Sequence, residues 1–129
     1  MKKLAALVGL LAFVTISNAE DSAEPARSGD AEAGEKIYFL CVGCHGDKPE
    51  HQSTGPHLFN IIGRQAGVLD DFQYSAALSV SGIFWDERTL DEFIANPTRR
   101  VPGTMMVVGV SNKQERADLI EYLKTFVRQ

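Results

Sequence analysis

The apolar positions of the chain predict a few short helices joined by long loops, and the last helix has the clearest pattern. Five apolar side chains near the end of the chain recur at helical spacing: Leu119, Ile120, Leu123, Phe126 and Val127. Ser111 and Gln114 could form a capping box that begins this helix. Four charged residues on this segment are expected to face water: Glu115, Arg116, Asp118 and Lys124.

Two more helices are predicted upstream from their caps and apolar faces. Asp30 can cap a helix whose apolar side includes Ile37 and Leu40, and this helix should run into the two cysteines of the chain. A second helix should begin at Asp86 and end before Pro97, because proline cannot continue it. Three apolar side chains lie on one of its faces: Leu90, Phe93 and Ile94.

Long loops occupy much of the remaining sequence. Ser75 can cap a short helix through Val80, but residues 46–72 and 98–110 have no sustained apolar periodicity, and no segment has a convincing strand pattern. The sequence therefore predicts an all-α fold with three to four short helices and long loops. Because these helices are too sparse to bury such loops, we expect a large apolar cofactor to complete the core.

The first nineteen residues have the pattern of a secretory signal peptide. Lys2 and Lys3 precede an apolar run over 4–16, and the small residues of 17–19 predict cleavage after Ala19. The alternative is a retained membrane anchor, but a spanning helix needs roughly 20 apolar residues and this run is shorter. The short apolar region after two lysines favours bacterial export, and hence a periplasmic location.

The predicted mature chain is acidic and long enough for one domain. Residues 20–29 form an acidic segment with little to bury, which we expect to be flexible, and 30–129 form the domain. The full chain of 129 residues has a net charge of −4; without residues 1–19 it has 11 basic and 17 acidic side chains, a net charge of −6. This charge disfavours nucleic-acid binding, and no nucleotide-binding loop, serine-hydrolase elbow or His-Glu-x-x-His zinc motif is present.

Residues 41–45 fit the Cys-x-x-Cys-His sequence that attaches c-type haem. Two sulfurs three residues apart can reach the two vinyl groups on one edge of a porphyrin. The imidazole of His45 then falls under the iron as one axial ligand, while Cys41 and Cys44 fix the haem through thioether bonds.

Three other interpretations of these residues compete with haem attachment. The cysteines could form a disulfide in an oxidising compartment, or a thioredoxin-like redox pair, although the expected βαβ setting is missing. They could also bind zinc with His51 and His57, but the spacing of these histidines exceeds the usual one. An exported chain with only two cysteines and an adjacent histidine favours haem.

A second axial ligand should come from elsewhere in the chain. The candidates are His51, His57, Met105, Met106 and the lysine side chains. The two histidines follow the attachment site closely, whereas the methionines lie on a distant loop that contains a proline and a glycine. A thioether from this loop would give His/Met ligation, which raises the reduction potential and fills both axial positions.

In these features the chain resembles class I cytochromes c, close to the mitochondrial-type and bacterial c2 group. The resemblance covers residues 29–127, and four blocks in order carry it: 29–36, 41–45, 55–75 and 82–123. It implies the class I cytochrome c fold, in which short helices and long loops wrap one covalently bound haem c.

The resemblance also implies roles for individual residues. Gly34 matches the glycine where the first and last helices cross, and Leu119 and Tyr122 match the residues packed there. Pro56 matches the residue whose carbonyl orients the axial histidine. Met106 matches the sulfur ligand. Four residues match partners near the haem propionates: Arg64, Tyr74, Trp85 and Thr104.

Three departures from the family pattern bear on tuning and partners. Phe93 stands where members have a tyrosine beside the axial methionine, and Leu78 where many have an asparagine near a propionate. Mitochondrial members are strongly basic around the haem edge, often with a lysine at the position of Met105, whereas this chain is acidic and keeps Arg99 and Arg100 near that loop.

The expected function is that of a soluble, monomeric, periplasmic one-electron carrier rather than an enzyme. It would accept electrons from and pass them to membrane redox complexes or soluble periplasmic redox enzymes, docking only transiently at the membrane surface. One alternative is a membrane-tethered carrier that retains its signal as an anchor. The other is a small haem peroxidase or sensor with a labile axial methionine.

Overall fold

The computed structural model describes residues 28–51 and 53–127. It contains six α-helices and one 3-10 turn: α1 (Ala31–Tyr38), α2 (Val42–His45), the 3-10 turn (Pro49–His51), α3 (Ala76–Ser79), α4 (Glu87–Ala95), α5 (Pro97–Arg100) and α6 (Lys113–Lys124). Only α1, α4 and α6 exceed one turn. Within the described residues the only β-type pairing is an isolated bridge between Gln65 and Phe84. The all-α prediction is confirmed.

The predicted signal peptide over 1–19 and most of the acidic segment over 20–29 lie outside the described residues. In the part of the chain that the structure does describe, no helix has the length and apolar character needed to cross a bilayer.

Three of the predicted helix caps form as expected. The Asp30 carboxylate accepts hydrogen bonds from the N–H groups of Glu32 and Ala33 at the start of α1. Asp86 accepts from the N–H of Thr89, and the Thr89 hydroxyl oxygen accepts from the Asp86 N–H, which completes a capping box. The Ser75 hydroxyl oxygen accepts a hydrogen bond from the N–H of Leu78 and so caps α3.

Helix boundaries differ from the prediction at three places. α1 ends at Tyr38 because the following bonds tighten to i→i+3, so a turn separates it from α2. The predicted box of Ser111 and Gln114 is wrong, since the Asn112 side chain caps α6 instead. Residues 98–100, predicted as part of the loop over 98–110, belong to α5, because Pro97 is tolerated in the first helical turn and Asn96 caps the helix.

The predicted polar face of the last helix is partly wrong. Arg116 and Asp118 are both only 8% exposed, whereas Val127, predicted to be apolar and inward, is 66% exposed. Asp118 is buried because its Oδ1 accepts hydrogen bonds from the N–H of Asp30 at 2.9 Å and from Gln114 Nε2 at 2.9 Å. A charged group can be buried when its hydrogen bonds are satisfied in this way.

α1 and α6 cross closely, and an aromatic cluster extends the contact. Tyr38 of α1 lies edge-on to Phe126 with ring centroids 4.9 Å apart. Phe59, from the loop between the 3-10 turn and α3, stacks on Phe126 with centroids 5.0 Å apart. Tyr122 also packs against this ring. α4 packs on another side of α6, so the three longer helices form a frame and the loops close around it.

At the crossing, Gly34 leaves no room for a side chain. A Cβ atom built there would collide with the backbone carbonyl of Asp118 and lie 2.8 Å from Tyr122 Cβ. We expect Gly34→Ala to separate the helices and to lower the free energy of unfolding by about 3 kcal/mol, as overpacking against backbone does. Denaturant unfolding measures this, with the exposed Glu35→Ala as the matched control; equal losses in the two variants would contradict the account.

Candidate functional site

A cavity of about 470 Å³ lies among the helices and loops of the fold. Its walls are largely apolar and include core side chains of α4 and α6 such as Leu90, Ile94 and Leu123. Protein interiors are otherwise close-packed, so an apolar cavity of this size is suited to a bulky apolar ligand. The structure brings all nine sequence-predicted site residues to its walls: Cys41, Cys44, His45, Pro56, Arg64, Tyr74, Trp85, Thr104 and Met106.

His45 is held in one orientation by the loop that follows it. Its Nδ1 donates a hydrogen bond to the Pro56 carbonyl oxygen at 2.7 Å, so the other ring nitrogen, Nε2, keeps its lone pair. Burial lowers the pKa of His45; the bond to Pro56 opposes this, and the Arg64 guanidinium adds to it. The imidazole is therefore neutral at neutral pH, the form that binds a metal ion.

Gly55 contributes to the same site and was not singled out from the sequence. A Cβ atom at this position would lie 2.7 Å from His45 Cε1 and 2.8 Å from its Nδ1. The ring thus packs directly on the backbone before Pro56. The only signal in the sequence was a glycine next to the proline that orients the histidine.

The two cysteines lie at the start and in the single turn of α2, and both are free thiols. Burial, and to a lesser extent the neighbouring Cys44, raises the pKa of the Cys41 thiol to about 11. Cysteines of redox pairs have lowered pKa values instead, because the thiolate is the reactive form. The raised pKa of the buried Cys41 thiol does not favour the thioredoxin-like interpretation.

The zinc interpretation also finds no support in the described residues. His51 is exposed, and its Nδ1 pairs with Asp47 Oδ1 at 2.9 Å, whereas His57 is buried. Across residues 28–51 and 53–127, no three His, Cys, Asp or Glu side chains are close enough together to hold a metal ion. His45 is thus the histidine that the structure places beside the two cysteines.

The loop of residues 101–111, which we call the methionine loop, supplies another part of the cavity wall. Met106 is half-buried and packs on the hydrophobic core, whereas Met105 is 60% exposed. The Met106 N–H donates to the Thr104 hydroxyl at 3.3 Å, which steadies the turn before the sulfur.

Arg64 places a positive charge at the cavity wall. Its two terminal nitrogens donate to the carbonyl oxygens of Phe59 and His57 at 2.9 and 2.8 Å. Its Nε, however, is buried without a hydrogen-bond partner among the described residues. A buried N–H of a guanidinium needs an acceptor, and an anionic oxygen suits it best. The cavity therefore fits an apolar group with a carboxylate edge, as the propionates of haem provide.

Tyr74 and Trp85 line the cavity with Arg64. Burial raises the pKa of Tyr74, while the Arg64 guanidinium works in the opposite direction, so the hydroxyl keeps its proton and can donate. Trp85 is buried and packs on Phe93 with ring centroids 5.1 Å apart. Phe93 and Leu78, two of the three departures from the family pattern, both line the cavity with apolar groups.

Comparison with known proteins agrees with this arrangement. The family model for cytochrome c matches residues 31–126. Cytochrome c2 of Rhodomicrobium vannielii is 43% identical over 106 residues, covering 81% of this chain and 85% of that protein. Cytochrome c of Gossypium barbadense is 43% identical over 106 residues, covering 80% and 96%. The solved structure of cytochrome cH from Methylobacterium extorquens has a TM-score of 0.70 and 41% identity, covering 75% of this chain and 99% of that one.

Proposed function

The chain belongs to the cytochrome c family, and we propose on that basis that it is a soluble periplasmic one-electron carrier with His/Met axial ligation. Members of the family bind a covalently attached c-type haem and carry electrons with it. The observation that carries the proposal is the apolar cavity in which two thiols, a neutral imidazole, a thioether and a buried guanidinium meet. When bound, the haem supplies an iron that changes reversibly between the ferric and ferrous states.

The chain's own residues hold the group in place. We assign the two thioether bonds to Cys41 and Cys44 and the axial positions to His45 Nε2 and the Met106 sulfur. The hydrogen bond from His45 to Pro56 fixes the imidazole. With both residues bound to it, the iron would have no position open for a substrate, which favours a carrier over a peroxidase or sensor.

The polar side of the cavity receives the propionates in this proposal. Arg64 Nε offers an N–H that finds no acceptor in the described part of the chain, and the hydroxyls of Tyr74 and Thr104 and the indole of Trp85 line the same cavity. Phe93 supplies no hydroxyl beside the axial methionine, so a hydrogen bond from that position to the sulfur is not available to tune it.

Export to the periplasm rests on the signal pattern of residues 1–19 with cleavage after Ala19. We propose that residues 20–29 then form the acidic N-terminal segment and 30–129 the haem domain. The alternative, a tethered carrier, requires the uncleaved segment, and the N-terminal residue of the protein purified from its source decides between the two.

The cavity opens through an apolar rim that sets the kind of partner. Four exposed side chains line both the cavity and its opening: Leu40, Met105, Val107 and Val108. Of the nearby arginines, Arg100 is paired with Glu92 at 3.0 Å, while Arg99 is exposed. We propose that the monomer docks this rim transiently on membrane redox complexes or soluble periplasmic redox enzymes. The docking sites of these partners would not require a ring of positive charges on the carrier.

Covalent attachment can be tested by extraction. Because Cys41 and Cys44 each form a thioether in this proposal, treatment with acid and organic solvent should denature the protein without releasing haem. The measurement is the haem absorbance of the protein and solvent fractions, together with the mass of the chain. Haem recovered in the solvent from the unmodified protein would show that the attachment is not covalent.

The axial methionine can be identified by replacing the two adjacent methionines separately. Met106→Ala should abolish the sulfur-to-ferric-iron charge-transfer band and lower the reduction potential, because the thioether favours the ferrous state. Met105→Ala should leave the band intact, since its side chain is largely exposed. Loss of the band in Met105→Ala alone would instead assign Met105 as the ligand. Retention of the band in both variants would mean that the two sulfurs substitute for each other.

Partner electrostatics can be tested with an oxidase adapted to a basic cytochrome c. The mature chain's net charge of −6 should slow its association at low salt by about tenfold or more relative to a basic cytochrome. Turnover should rise as salt screens the repulsion. The measurement is the oxidation rate against ionic strength; a steep fall with added salt would instead show that a basic patch around Arg99 decides docking.

A further inference from the structure

Arg116 connects three parts of the fold through one buried guanidinium. Its Nε donates to Asp91 Oδ1 of α4 at 2.7 Å. Its Nη1 donates to two carbonyl oxygens at the end of the methionine loop, Val110 at 3.1 Å and Ser111 at 2.7 Å. Since Arg116 itself belongs to α6, it links α4, α6 and the loop. A planar guanidinium with several fixed N–H groups is suited to such a junction.

The methionine loop is hydrogen-bonded at Val110 to both α4 and α6. The Val110 N–H donates to the Ile94 carbonyl at the end of α4 at 2.9 Å, while its own carbonyl accepts from Arg116. Gly109 lies so close to α4 that a Cβ atom there would be 2.9 Å from the Ile94 carbonyl oxygen. Val110 is only four residues beyond Met106, so these contacts fix one end of the segment that carries the sulfur.

The segment between these two ends contacts the rest of the protein mainly through its side chains. Met106 packs on the hydrophobic core, and Val107 and Val108 line the cavity, so their contacts depend on the group that fills it. On the other side of Met106, the Thr104 N–H donates to the Val101 carbonyl at 3.0 Å. The loop that carries the sulfur is thus hydrogen-bonded to α4 and α6 at its C-terminal end, and Arg116 supplies two of these bonds.

A second cation joins the same pair of helices without contacting the loop. Lys124 Nζ of α6 lies 2.7 Å from Glu87 Oε1 of α4 and also pairs with Glu121. Arg116 and Lys124 thus both link α4 to α6, but only Arg116 has bonds to the methionine loop. Substitutions of Arg116 and Lys124 can therefore distinguish the effect of linking α4 to α6 from the effect of bonding to the methionine loop.

We propose that Arg116 is a positioning residue for the axial methionine, which holds the end of the methionine loop so that the Met106 sulfur stays at the iron. The proposal rests on the assignment of Met106 as ligand made above. If the bonds to Val110 and Ser111 are lost, the loop moves away more often and the sulfur leaves the iron more often. An external ligand that competes with the sulfur should then bind faster.

The test uses the haem-loaded protein and imidazole as the competing ligand. Arg116→Lys keeps a positive charge beside Asp91, but a single ammonium cannot reproduce the fork that reaches Asp91 and both carbonyls. We expect imidazole to bind the ferric protein about tenfold or more faster in this variant, with a weaker charge-transfer band. Lys124→Met is the matched control: it should lower stability to denaturant without accelerating imidazole binding.

Asp91→Asn provides a milder change if Arg116→Lys fails to load haem. It keeps an acceptor for Arg116 but removes the charge that orients the guanidinium, so imidazole binding should accelerate by a smaller factor. Unchanged imidazole binding in the Arg116 and Asp91 variants would overturn the proposal. Equal acceleration in the Lys124 variant would overturn it too, because the effect would then follow stability alone.

The ligand assignment is checked separately with Met106→Ala. If this variant loses the charge-transfer band while Arg116→Lys binds imidazole at the original rate, only the role of Arg116 is wrong. If Met106→Ala retains the band, Met106 is not required as the ligand, and the proposal for Arg116 fails with its assignment.

Discussion

The structure depends on filling one large apolar cavity with a group that the chain does not supply. Among residues 28–51 and 53–127, three helices exceed a single turn, and they form a frame rather than a closed core. The long loops line the remaining walls with apolar side chains, and their packing depends on contact with the same central group. The haem of this family is therefore part of the core, and stability and electron transfer share the same contacts.

Two parts of the cavity wall are held in different ways. His45 is fixed by its bond to the Pro56 carbonyl and packs directly on Gly55. Met106 packs on the core from a loop whose C-terminal end is hydrogen-bonded to Arg116. In the proposed carrier the imidazole is therefore held by residues close to it in sequence, while the thioether depends on contacts made elsewhere in the chain.

Local signals predicted the parts of the fold that depend on neighbouring residues. The caps at Asp30 and Asp86 were predicted because cap and helix adjoin in sequence, and the Cys41–His45 motif brought its three side chains to one cavity. The burial of Arg116 and Asp118 was missed because their partners lie 25 and 88 residues away, at Asp91 and Asp30. Helical periodicity treats every charged residue as solvent-facing and cannot anticipate such pairs.

The central claim, that the bound haem completes the core, is tested most directly by unfolding the chain with and without it. The haem-free protein can be made as the double variant Cys41→Ser, Cys44→Ser and compared with the haem-loaded protein by denaturant titration and near-ultraviolet circular dichroism. We predict one cooperative transition for the loaded protein, and neither cooperative unfolding nor a near-ultraviolet signal for the haem-free chain. A haem-free chain that unfolds cooperatively from an ordered state around Trp85 would contradict the account.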